Sequence, residues 1–181
     1  TLTAQATIGA ALTVLPVGTI YTWDYFSTVD VLLTFGQLQS VTDIAVLNGA
    51  NACLIGDEVI QFQTATLLAD NKYRLSGLLR GRLGTEWAVG THAASERVVL
   101  LTNALARELM AASGWNISKK FKPVTIGSTL GVTTVQDFTY TAKALKPYAP
   151  VHVNGSRAAN DLTIVWKRRT RLNGDWRELV D

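Results

Sequence analysis

LSGLLRGRLGTEWAVGTHAASERVVLL, residues 75–101, decides how this chain is read. Leu75, Leu78 and Leu79 make one apolar run, Val98 to Leu101 another, and between them stand Arg80-Gly81-Arg82-Leu83-Gly84-Thr85, Trp87 and His92. Gly81 and Gly84 can take positive φ at little steric cost, so the stretch predicts a strand, a tight excursion and a second strand. Arg80, Gly81, Gly84, Thr85 and His92 are accordingly read as a structural turn motif rather than a reactive site.

Working outward, Val59-Ile60-Gln61-Phe62-Gln63 sets Ile60 and Phe62 against Gln61 and Gln63, the period of two that marks a half-buried strand. Asp70-Asn71-Lys72 supplies turn chemistry before Tyr73-Arg74-Leu75, so residues 57–79 read as a hairpin. Residues 1–47 are dense in β-branched and aromatic side chains and read as short strands, with Pro16 and Gly18 as an early turn. Residues 41–47 fit either a further strand or one helical turn. Behind Asn103, a capping residue, Leu105, Leu109 and Ala112 fall at helical spacing before Gly114, which predicts a short helix. Residues 117–145 return to a strand-like composition.

Lys146-Pro147-Tyr148-Ala149-Pro150 reads as an extended linker stiffened by the fixed φ of its two prolines. Beyond it Leu162, Ile164 and Trp166 alternate with Thr163, Val165 and Lys167, and Asn173-Gly174 is a hairpin-turn signal before Trp176. The chain is therefore expected to be mainly β. Residues 1–145 would form a β-barrel or β-sandwich, 146–150 the linker, and 151–181 an incomplete second β segment, since a seven-stranded sandwich needs roughly 100 residues.

The 181 residues suffice for one well-buried domain and are marginal for two. With 48% hydrophobic and 17% charged residues the chain falls among globular rather than disordered proteins. No apolar run approaches the roughly 18 residues of a membrane span. The chain opens on Thr1 without the marks of a signal peptide and is expected to be a piece of a longer protein.

Chemistry finds little to work with. Cys53 is the single cysteine, which rules out an internal disulfide, and its setting in Ala52-Cys53-Leu54-Ile55 reads as a buried thiol. His92 and His152 have no second histidine or cysteine at ligand spacing, so no metal site is expected. Asp57-Glu58 is the strongest acid-base pair, but neighbours on a strand point to opposite faces, and a polar strand start after Gly56 is preferred. Arg80 and Arg82 could clamp an anion; pinning loop carbonyls or pairing with a carboxylate such as Glu86 is preferred. No catalytic, cofactor-binding or metal-ligating set is read. Most of Trp23, Trp87, Trp115, Trp166 and Trp176 are expected in cores.

A net charge of +3 is too mild to imply nucleic acid. Lys167, Arg168, Arg169 and Arg171 form a possible interaction surface, yet strand alternation divides them between two faces, and a charge-guarded strand edge is preferred.

Residues 47–101 and 144–176 resemble the C-terminal region of the tail-tip, or baseplate hub, proteins of siphophage-like particles and gene transfer agents. The resemblance is carried by Gly56-Asp57-Glu58, Gln61-Phe62, Tyr73-Arg74-Leu75, Leu79-Arg80-Gly81-Arg82, Gly84-Thr85-Glu86-Trp87 and His92. Lys146-Pro147-Tyr148-Ala149-Pro150-Val151-His152 and Leu162 to Arg169 are similar to that family's junction with a fibronectin type III-like module. Residues 1–46 match loosely, and Ser95-Glu96-Arg97 replaces the small glycine-containing turn that follows the histidine in the family. The resemblance implies a non-enzymatic structural domain of a virion tail tip, made in the bacterial cytoplasm and oligomeric in the particle beside other tail-tip proteins. It implies no cofactor, no specific nucleic acid and no membrane span. The alternative is a receptor- or carbohydrate-binding module facing the host, with exposed tryptophans stacking on sugar rings.

Overall fold

The computed structural model describes residues 4–169 and residue 171. Its contacts divide the chain into two compact units, Thr1–Leu109 and Met110–Asp181.

The first unit is a closed barrel. Its strands are β1 (Ile8–Ala11), β2 (Val29–Phe35), β3 (Ala52–Ile55), β4 (Glu58–Ala69), β5 (Lys72–Arg82) and β6 (Arg97–Leu100). They close in the order β1-β2-β5-β4-β3-β6, and every neighbouring pair is antiparallel. Closure pairs each strand on both sides and removes the open edges that a sandwich would keep. The expectation of barrel or sandwich thus resolves to the barrel.

The period-two pattern fills it. Val29, Val31 and Leu33 point inward from β2, and Ile60 and Phe62 from β4, to meet Leu75 and Leu78 of β5. Residues 57–79 form the expected hairpin, with Asp70-Asn71 as its turn and Asn71 at φ 56°. Gln61 departs from the half-buried reading, because it is buried as well. Its amide donates to the Ala50 carbonyl at 3.0 Å and accepts from Arg82 Nε at 2.9 Å. Residues 41–47 settle as a helical turn, α1 (Asp43–Leu47), whose start is capped by the Thr42 hydroxyl accepting from the Ala45 N–H.

The expected helix over 103–112 does not form. Leu109 is almost fully exposed, so the apolar stripe has nothing to pack against, and a helix that short draws its stability from such packing. Only a single 3-10 turn, Ala112–Gly114, follows.

In the second unit β7 (Ser118–Phe121) pairs with β8 (Gln136–Thr139), and β9 (Val151–Ala158) with β10 (Asp161–Lys167), as two separate two-stranded sheets. Val124, Ile126 and Val132 lie outside strands. The compact unit that holds the barrel ends at Leu109, before the hairpin of 118–139. Among the described residues β7 and β8 pair only with each other. The Asn173-Gly174 turn signal and Trp176 lie outside the described residues. No helix among the described residues is long and apolar enough to cross a membrane.

Candidate functional site

The turn motif of residues 80–92 folds over a buried chain of charges. Arg80, near the end of β5, has no exposed side-chain surface and donates to the equally buried Glu58 twice, Nε to Oε1 at 2.8 Å and Nη2 to Oε2 at 2.9 Å. Its Nη1 donates to the Pro16 carbonyl at 2.9 Å and approaches Asp24 Oδ2 at 3.3 Å. Such a fork spans two carboxylates and a carbonyl because the guanidinium carries five donors in one plane.

Glu58 continues the chain. Its Oε2 lies 2.7 Å from His92 Nε2, and on the other side of the ring Nδ1 lies 2.7 Å from Glu96 Oε2. The imidazole ring thus links the two carboxyl groups, one through each of its nitrogens. The Gly81 N–H adds a further donor to Glu58, at 2.7 Å from Oε1. Burial pushes the Glu58 carboxyl up, but the hydrogen bonds from Arg80, His92 and Gly81 outweigh it and hold it below its ordinary value. The same balance holds Asp24 low: burial raises it, and donors from Ser27 and Phe26 with the Arg80 charge lower it further.

Backbone geometry makes the ladder possible. Gly81 sits at φ 59°, and a Cβ built there would stand 2.9 Å from the Glu86 Cα, so no other residue fits without moving the loop. Thr85 ties the excursion down, accepting from the Val59 N–H at 2.9 Å and donating to the Arg82 carbonyl at 2.7 Å. Gly84 at φ 88° and the 3-10 turn Glu86–Ala88 then turn the chain toward His92.

Each residue of the turn motif therefore has a place in one constellation, but the partners differ from those expected. Arg80 does pin a loop carbonyl, while its carboxylates are Glu58 and Asp24 rather than Glu86. Glu58, read as a polar strand start, is the centre of the ladder, with Asp24 at one end and Glu96 at the other. A signal for Glu58 was present: it is in phase with Ile60 and Phe62, so the alternation that points those two inward also buries Glu58. Asp57, one residue earlier, is exposed. No group of three or more potential metal ligands occurs among the described residues.

Elsewhere, Cys53 is buried and its thiol is pushed up to about 12 by desolvation. Lys167, Arg168 and Arg169 are exposed. Arg169 and Arg171 do not stand as a bare basic edge; their guanidinium carbons lie 4.6 and 4.0 Å from the Tyr148 ring centre, clasping the linker tyrosine. The tryptophans break the expectation of burial. Trp23 is half-buried, while Trp87, Trp115 and Trp166 are exposed, since Trp87 lies in a loop outside the barrel and Trp166 on an uncovered hairpin.

Fold and site together define a small closed antiparallel barrel whose long loops are fastened by a buried ion ladder. Residues 6–99, from just before β1 into β6, match the family model described as Rcc01698-like, C-terminal, and the chain belongs to that family. No curated protein matches the chain.

Proposed function

We propose that this chain is a structural, non-enzymatic component of a phage-like tail tip, placed in the virion or gene transfer agent particle by contacts with neighbouring tail-tip proteins. One observation carries the reading: the loop of residues 12–28 is clamped to the barrel, yet turns apolar side chains outward. Leu15 is buried, Asp24 exchanges two backbone hydrogen bonds with Leu78, and Arg80 holds Pro16 and Asp24. From this fixed base Val17, Tyr21, Tyr25 and Phe26 project, Phe26 with its full surface exposed. A clamped loop cannot collapse to hide these side chains, and exposed apolar groups held on a fixed base are what a protein interface covers.

The chemistry of the loop favours a protein partner. No Lys or Arg precedes Lys72 in the chain, so the loop brings no cation to an anionic bilayer or a phosphate backbone. The motifs that resemble tail-tip proteins support the particle context, since Glu58, Arg80, Gly81, Thr85 and His92 all act in fastening loops.

Immunogold labelling of particles released from the source cells with antibody to this chain tests the reading. Label at the tail end distal to the head is expected; particles without label, or labelled elsewhere, would overturn it.

A further inference from the structure

Charge is divided unevenly between the two units. Residues 110–181 hold eleven of the chain's 17 Lys and Arg and five of its 14 Asp and Glu, a net charge of +6, while residues 1–109 carry −3. We propose that the β9–β10 hairpin of the second unit is a docking surface for an anionic phospholipid bilayer. This inference rests on that unit alone and does not depend on the tail-tip reading.

The hairpin has two unlike faces. Side chains two apart on a strand share a face, so Leu162, Ile164 and Trp166 stand in one row, each more than half exposed. Directly paired residues share that face across the strands. Arg157 lies opposite Leu162, and Gly155, with no side chain to interrupt the row, lies opposite Ile164. The other face carries Asp161, Thr163 and Val165 from β10, with Ser156 and Asn154 from β9. Asp161, the one acidic residue of 151–169, is therefore set away from the apolar row.

Cations gather where the row ends. Lys167, Arg168 and Arg169 follow Trp166 directly and are exposed; Arg169 keeps its charge while it lies over the Tyr148 ring. Leu162 to Trp166 spans about 13 Å of strand. Laid flat, such a row settles at the boundary of headgroups and acyl chains, with the indole in the interface and Lys and Arg reaching lipid phosphates. Among the described residues β9 and β10 pair only with each other, so their outer backbone groups need water, and the hairpin lies at headgroup level rather than crossing.

Other partners fit this surface less well. Nucleic acid would take the cations and stack on Trp166, but it would leave Leu162 and Ile164 against a polar backbone. A protein partner is selected by fitted shape, whereas β10 is exposed along its whole length and β9 at every residue but Val151. A fluid anionic surface asks only for a row of apolar groups with cations beside it.

The test is co-sedimentation of the full chain with phosphatidylcholine vesicles containing about 30% phosphatidylglycerol, and with pure phosphatidylcholine vesicles. Partition onto the anionic vesicles is expected to exceed that onto the neutral ones by about tenfold or more and to fall as salt is raised. Arg168→Gln should weaken it by about fivefold, and Trp166→Ala by about tenfold. Both positions are exposed; thermal melts identify any variant whose fold has suffered, and Arg168→Gln at the strand's end carries the comparison. No partition, equal partition onto both vesicles, retention by double-stranded DNA but not by vesicles, or an Arg168→Gln affinity within about twofold of the parent would overturn the proposal.

Discussion

The barrel and the hairpins of the second unit are built from similar strands and treat them in opposite ways. In β4, Ile60 and Phe62 are wholly buried; in β10, Leu162, Ile164 and Trp166 alternate with the same period and are all more than half exposed. Their charges follow suit. The Arg80–Glu58 pair has no exposed side-chain surface, whereas Lys120 and Asp137, 2.9 Å apart across β7 and β8, are 73% and 59% exposed. An amphipathic strand is a request for a covering layer, and closure of the barrel answers it, while a two-stranded hairpin by itself supplies none.

The sharpest way to break this comparison is to remove one partner of an ion pair from each region. Glu58→Ala leaves Arg80 and His92 buried beside each other without their shared acceptor, which should cost about 3–5 kcal/mol in chemical denaturation followed by tryptophan fluorescence. Lys120→Ala should leave the denaturation midpoint unchanged, because an exposed pair is screened by water. Equal effects from the two would abolish the distinction.

Gly81→Val should come next, at about 1–3 kcal/mol, since it imposes both a left-handed backbone on a β-branched residue and a clash with Glu86. The loop rather than the barrel core should respond first, seen as faster amide exchange at Thr85 and Ala88 than at Ile60. Uniform exchange across both would mean that Gly81 does not act through the loop.

The smallest effect is that of acid. Glu58 and Asp24 titrate below their ordinary values in the folded chain, and so does Asp30, where hydrogen bonds from Arg74 outweigh the opposing burial. Folded-state carboxyls that bind protons less readily than unfolded ones stabilise the fold fully above the ordinary carboxylate range, and that contribution is lost as pH falls through the lowered native values. The melting temperature should thus hold from neutrality to about pH 5 and drop below about pH 4. A decline that begins near neutrality would point to a different titrating group.

Much of the barrel was legible in the chain. The alternation of Ile60 and Phe62, the Asp70-Asn71 turn and the paired glycines 81 and 84 are local signals, and each produced its local structure. The helix over 103–112 was misread, because the same spacing of leucines marks a helix only where some surface accepts the stripe. The ion ladder was half legible: Arg80, Gly81, Thr85 and His92 stood out by composition, but Asp24 lies 56 positions from Arg80 and Glu58 lies 34 from His92, and nothing in one dimension pairs them.

By itself, then, the sequence determined a mainly β chain, its principal hairpin and the loop-shaping role of its glycine motif, since these depend on backbone sterics and a period of two. Only the tertiary structure decided that the sheet closes, that Glu58 rather than Glu86 receives Arg80, and that Trp87 stands outside a core. Closure and burial are set by which distant segments meet, and there the cost of desolvating a charge, or the gain from covering an indole, is first decided.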